Sequence, residues 1–232
     1  MLNKLLYYAF VFPLSKMPLQ FTYAILSVLR FVPYRRKGIS DNIKNSFPNN
    51  TPQQNKVIIK QFYKYFSRLL AESVYNLNIS KKNLSKRMVV KNPEVMDELY
   101  EKNKNVILVS AHFNNWEFLI TAQNFLFKHQ AIGIGMPMTN KFWDKKINSQ
   151  RERFGMKVVH AKNYKDKLKE FSNIPTATLV LGDQNPSKPY NSFWTLFLNQ
   201  NSPFTFGAEI MANQTDSAVV YVNINHVKRG CY

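Results

Sequence analysis

Two residues in one short stretch have the types needed for acid–base chemistry. His112 and Glu117 stand five positions apart in Ser110-Ala111-His112-Phe113-Asn114-Asn115-Trp116-Glu117. A neutral imidazole can take a proton from an alcohol, and a carboxylate behind it fixes the tautomer and stabilises the imidazolium that forms. On a continuous helix, five positions diverge by roughly 140°. The pair therefore meets only if His112 lies in a turn and Glu117 in the first turn of a helix. A structural alternative stands beside this one. Asn114, three before Glu117, resembles the start of a capping box, with Asn in the role usually given to Ser or Thr, and Glu117 would then only cap its helix.

The flanking segments have the character such a turn needs. Asn105 to Ser110 is a short apolar, β-branched run that reads as a buried strand, and Phe118 to Phe127 has helical apolar spacing. His112 thus falls where a strand hands over to a helix, and the carboxyl ends of strands in open α/β sheets are where active sites collect. Further strands are expected at Ala131–Gly135, Met156–His160, Ala177–Leu181 and Ala218–Ile224. Helices are expected over Lys56–Tyr75, Lys141–Phe154 closed by Gly155, Tyr164–Phe171 and around Glu209. Strands alternating with helices predict an α/β fold with a mostly parallel central sheet flanked by helices. Gly182-Asp183-Gln184-Asn185-Pro186 ends the fourth strand and places a carboxylate there.

The chain has 232 residues, 45% of them hydrophobic, enough for one compact domain with a real core. Its formal net charge of +18 favours a polyanionic partner: nucleic acid, an anionic membrane surface or an acidic protein. Recognisable nucleic-acid motifs are absent, and so are H-E-x-x-H and Gly-rich phosphate loops. No metal, no cofactor and no nucleic-acid partner are expected. The single cysteine, Cys231, excludes an intramolecular disulfide and a zinc cluster. His129, His160 and His226 read as structural or exposed.

Residues 1–33 read as a membrane anchor and 34–232 as the functional domain, with a helical lead-in over 34–104 and a catalytic α/β part over 105–232. Leu5 to Val32 is mostly apolar and aromatic, interrupted by Pro13, Lys16 and Pro18. Taken as one N-terminal apolar anchor helix it is long enough to span, provided Lys16 snorkels. Two helices lying in the interface are the alternative. Arg35-Arg36-Lys37 follows at once, which places that end on the cytoplasmic face.

In order along the chain, Tyr34-Arg-Arg-Lys, Asn42-Ile and Phe47-Pro48, then His112-Phe-Asn-Asn-Trp-Glu117, Arg151-Glu-Arg-Phe-Gly155, Gly182-Asp-Gln184 and the stretch Phe193 to Ala212 together resemble the lipid A biosynthesis (late) acyltransferases. These are the bacterial inner-membrane branch of the lysophospholipid acyltransferase-like superfamily. The six residues from His112 are similar to the family's H-x-x-x-x-D/E motif, and the resemblance runs from about residue 5 to the end. It implies transfer of an acyl chain from a thioester, on acyl carrier protein or acyl-CoA, to a hydroxyl of lipid A precursor or a related glycolipid or lysolipid. It also implies an inner-membrane location with the catalytic part facing the cytoplasm. His112 would be the general base and Glu117 would orient it. Arg151 and Arg153 would stabilise the oxyanion or bind a substrate phosphate, though two positions apart on a helix they do not face the same way. Asp183 and Gln184 would hold substrate hydroxyls or position an arginine, with turn formation as their structural alternative. Two departures stand out. Met136 occupies a place where members commonly carry a basic residue, and the chain stops at Tyr232 just after a strand, where members usually run on. A non-catalytic, basic, lipid-binding protein descended from such an enzyme is the alternative function.

Overall fold

The computed structural model describes residues 2–171, 173–186 and 188–232. In chain order the helices are α1 (Leu2–Leu6), α2 (Phe12–Lys16), α3 (Leu19–Leu26), α4 (Arg36–Ser46), α5 (Pro52–Asn76), α6 (Lys81–Ser85), α7 (Glu94–Glu101), α8 (Trp116–Leu126), α9 (Lys141–Arg151), α10 (Tyr164–Lys169) and α11 (Gly207–Thr215). The strands are β1 (Val106–Ser110), β2 (Gln130–Gly135), β3 (Lys157–His160), β4 (Thr176–Leu181), β5 (Phe193–Phe197), β6 (Gln200–Phe204) and β7 (Ala218–Tyr221).

Five strands form one sheet in the order β3-β2-β4-β1-β7, with every pairing parallel. The fold is α/β, with this parallel sheet flanked by helices. Val106, Leu108, Ala131, Ala177 and Leu179 bury their side chains against Phe118, Leu119 and Ala122 of α8 and against Met96 of α7. A strand covered on both faces reads as a continuous apolar run, which is why β1 (Val-Ile-Leu-Val) shows no alternation. Gly155 closes the turn after α9 with φ of 103°, and a Cβ there would collide with the Asn124 side chain.

The N-terminus corrects the expectation of a single anchor helix. Among the described residues no helix is long and apolar enough to cross a membrane. The apolar segment is broken at Met17, where the backbone turns extended before Pro18, because a residue preceding proline is driven out of the helical region. Both halves fold back onto the domain. Tyr7 packs edge-on against Phe142 and Trp143 of α9, while Leu19 and Tyr23 of α3 pack against Ala71 of α5. A second, separate sheet pairs β5 with β6 as an antiparallel hairpin, an element absent from the expected strands.

Candidate active site

The site is built by register. β1 and β4 are neighbours, and Ser110 at the end of β1 is paired with Leu181 at the end of β4. His112 and Asp183 each stand two residues beyond those partners, at the carboxyl edge of the sheet. Their side chains meet: His112 Nδ1 lies 2.7 Å from Asp183 Oδ1. The pair is open to solvent, with side-chain exposures of 28% and 38%. The Gln184 amide nitrogen is 3.4 Å from the other ring nitrogen, Nε2, and Trp116 presents its ring at a steep angle to the imidazole, 5.2 Å between centroids. A carboxylate on Nδ1 keeps the proton there and leaves the Nε2 lone pair to accept one.

The turn that carries His112 is fastened on three sides. Ser110 donates its hydroxyl to the Val222 carbonyl at 2.8 Å. Asn114 adopts a left-handed backbone, φ 51°, and donates to the Ile224 carbonyl at 2.6 Å. Asn115 caps α8: its side-chain oxygen accepts from Phe118 N at 2.9 Å, and its amide donates to Glu72 at 2.6 Å. The cap is therefore Asn115 rather than Asn114, and Glu117 is free for another partner.

That partner is Arg151, the last residue of α9. Its Nε and Nη2 reach the two Glu117 oxygens at 3.2 and 2.5 Å, a bidentate pair with exposures of 25% for Arg151 and 16% for Glu117. No hydrogen bond joins His112 to Glu117 among the described residues; the carboxylate beside the imidazole is Asp183. Glu117 lies in the first turn of α8, where a negative charge suits the helix dipole. The neighbouring turn is locked across helices, since Asn76 of α5 donates to the Glu117 carbonyl and to Thr121 Oγ1 at 3.1 and 2.9 Å, and Gln150 of α9 donates to the same Thr121 hydroxyl.

Arg153 goes elsewhere. It donates to the carbonyls of Asn76, Leu77 and Ile79 at 3.2, 2.9 and 2.6 Å. This caps the carboxyl end of α5 with a cation, where the dipole favours one. Burial lowers its pKa. With three carbonyls accepting from it, its guanidinium braces the end of α5. Met136 is exposed just beyond β2. Of the other histidines, His129 is buried with Nε2 3.1 Å from the Lys104 carbonyl, and His160 accepts from the Lys162 amide at 3.1 Å. No group of three His, Cys, Asp or Glu residues is placed to hold a metal ion among the described residues.

The residue that sequence reasoning missed is Glu72. It is 2% exposed, four residues before the end of α5, and accepts from Asn115 at 2.6 Å, from the Tyr232 hydroxyl at 2.7 Å and from the Tyr23 hydroxyl. It thereby ties the N-terminal helices, the cap of α8 and residue 232 to one point behind the His112 turn. Burial, then the Glu72 charge, push the pKa of both tyrosines far above the ordinary value. The only sequence signal was an acid at a position of α5 surrounded by apolar residues.

Active sites of open α/β sheets collect at the carboxyl ends of the strands, and an imidazole–carboxylate pair placed there has the groups needed to move a proton. The family model for bacterial lipid A biosynthesis acyltransferases matches residues 2–232, nearly the whole chain, and the protein belongs to that family. It is an acyltransferase. No individual curated protein matches the chain.

Proposed function

We propose that the protein transfers an acyl chain from a thioester, on acyl carrier protein or on acyl-CoA, to a hydroxyl of lipid A precursor or a related glycolipid, at the carboxyl edge of β1 and β4. The observation that carries this is the 2.7 Å contact between His112 Nδ1 and Asp183 on a chain of this family. The acceptor hydroxyl takes the place of the Gln184 amide beside Nε2. His112 removes its proton as the oxygen attacks the thioester carbonyl. The C–S bond then breaks, and the imidazolium returns the proton to the departing thiolate. Asp183 accepts the Nδ1–H throughout and stabilises the imidazolium. No covalent acyl-enzyme is needed. Glu117 acts through Arg151, holding its guanidinium by two of its N–H groups so that the remaining ones are left for the oxyanion or an acceptor phosphate.

The location proposed is the inner membrane, with the domain on its cytoplasmic side. The N-terminal segment leaves Leu2, Leu5, Phe10, Phe21, Val28 and Phe31 exposed and is followed by exposed Arg35, Arg36 and Lys37. Short helices of this kind suit an interfacial position rather than a span. The test is acyl transfer from a labelled carrier thioester to lipid A precursor in detergent. Wild type should be active and His112→Ala slower by ~10²–10⁴-fold with its fold intact. An active His112→Ala protein would overturn the mechanism.

A further inference from the structure

The hairpin β5–β6 leaves large apolar side chains exposed on both of its faces. Successive strand residues point to opposite sides, so Phe193 and Phe197 share one face and Trp194 and Leu196 the other. All four are exposed, Leu196 at 73%. A hairpin that packed on its own domain would bury one of these faces. An isolated two-stranded hairpin is also marginal in water, and among the described residues this one pairs with no strand of the main sheet.

Its tip is stranger still. Phe197 pairs with Gln200, so Leu198 and Asn199 form a two-residue turn, with φ of 49° and 59°. Such turns select Asn, Asp or Gly, which tolerate the left-handed conformation; leucine pays a steric penalty there. Leu198 is nonetheless 51% exposed. A disfavoured residue that gains little burial in return points to a role outside the folded domain. The turn is held in place, because Asn199 donates to the Ser46 carbonyl at 3.1 Å and Asn45 donates to Gln200 at 3.1 Å. Both anchors lie at the carboxyl end of α4, which carries exposed Arg36, Lys37 and Lys44 against one acid, Asp41. α4 has 11 residues, about 16 Å, so the tip sits within one helix length of the basic cluster that ends the apolar N-terminal segment.

We infer that β5–β6 is a second membrane-inserting element, which drives Trp194, Leu196 and Leu198 into an anionic bilayer while the basic residues of α4 meet its headgroups. A bilayer supplies what both faces lack: an apolar medium around the tip and negative charge beside it. This rests on the membrane location proposed above, and it adds a contact on the far side of α4 from the N-terminus. Two attachments would fix the tilt of the domain and hold the His112 edge, whose Asp183 lies ten positions before Phe193, toward lipid acceptors.

The test uses the full chain with phosphatidylglycerol-rich vesicles and with phosphatidylcholine vesicles. Leu196→Ser and Leu198→Asn should each weaken partitioning to the anionic vesicles about tenfold or more. Leu198→Asn should hold or raise the melting temperature, since Asn suits the turn; a merely structural leucine would lower it. Lipids brominated in their chains should quench tryptophan emission, and Trp194→Phe should remove part of that quenching. Turnover of a detergent-solubilised acceptor should be unaltered in all three variants. Hairpin variants that bind vesicles like the wild type overturn the inference and leave the chemistry untouched. A wild type that turns over in detergent yet binds no vesicle overturns both membrane statements, again without touching the chemistry. Variants that change the sedimentation of the protein but not its vesicle binding would show the hairpin to be a contact between copies, which also refutes the inference.

Discussion

Replacing Asp183 by Asn separates the two carboxylates near His112. The change removes a charge and keeps the shape. In the wild type Asp183 lies 2.7 Å from Nδ1 and accepts its N–H, so Nε2 is the basic nitrogen. An Asn amide can turn its NH₂ toward Nδ1 and hold the opposite tautomer, with the proton on Nε2 where the acceptor hydroxyl must deliver one. Turnover should fall by ~10²–10⁴-fold, the contribution of a positioned base. Stability should hardly respond. Both side chains are partly exposed, and pairs of that kind contribute up to about 1 kcal/mol, or roughly 2–4 °C of Tm for a chain of this length. Glu117→Gln should behave in the opposite sense. Its bidentate bond to Arg151 is less exposed, and hydrogen bonds to charged groups are worth about 1.5–3 kcal/mol, so Tm should drop by roughly 3–12 °C. Its loss of turnover should be smaller than that of Asp183→Asn. The assay is initial rate with a carrier thioester and a detergent-dispersed acceptor, paired with thermal melts of the same preparations. Wild-type turnover in Asp183→Asn would refute the reasoning. So would a Glu117→Gln protein that melts normally and is dead, since that would put Glu117 directly behind the imidazole.

Tyr232→Phe removes one of the three donors to the buried Glu72 carboxyl group and should cost about 1–3 kcal/mol in denaturant unfolding. The same tyrosines set an alkaline limit: Tyr23 and Tyr232 stay protonated in the folded state above their ordinary value of 10.0, the unfolded chain does not, and stability should fall as pH rises past 10, with a shallower fall in Tyr232→Phe. His129 acts on the acid side. Burial lowers its pKa from 6.5, so the unfolded state binds the proton first and stability should decline from about pH 6.5 downward until the folded state's lowered value is reached; a His129→Gln protein that shows the same slope would remove His129 from the account. Arg153→Ala should lower Tm by leaving three carbonyls at the end of α5 without their donor, while turnover per folded molecule stays within a few-fold of wild type; a selective rise in KM for the acceptor would instead make Arg153 a substrate ligand.

The parts of this fold that could be read from the sequence are those written in local patterns. The apolar run before His112 and the helical spacing after it place the histidine in a strand-to-helix turn, and there it stands. Pro18 marks the break in the N-terminal segment, although apolarity alone suggested a span. What stayed hidden is set by strand order. β2 follows β1 in sequence, yet β4 is β1's neighbour, and this insertion brings Asp183 across 71 positions to His112. Glu117, only five positions away, looked the nearer partner because sequence distance was the only distance to be had; Arg151 claims it from 34 positions off. Glu72 was hidden for the same reason, its donors Asn115, Tyr23 and Tyr232 lying 43, 49 and 160 positions away. The hairpin escaped differently. Phe-Trp-Thr-Leu-Phe does not alternate, because neither face is buried in the domain, and period-two patterning exists only where one face is dry and the other wet. Periodicity thus reports which side of an element meets the protein's own core. Both the His112–Asp183 pairing, which depends on the order of strands within the sheet, and the hairpin, whose apolar faces stay exposed among the described residues, lie outside what it can report.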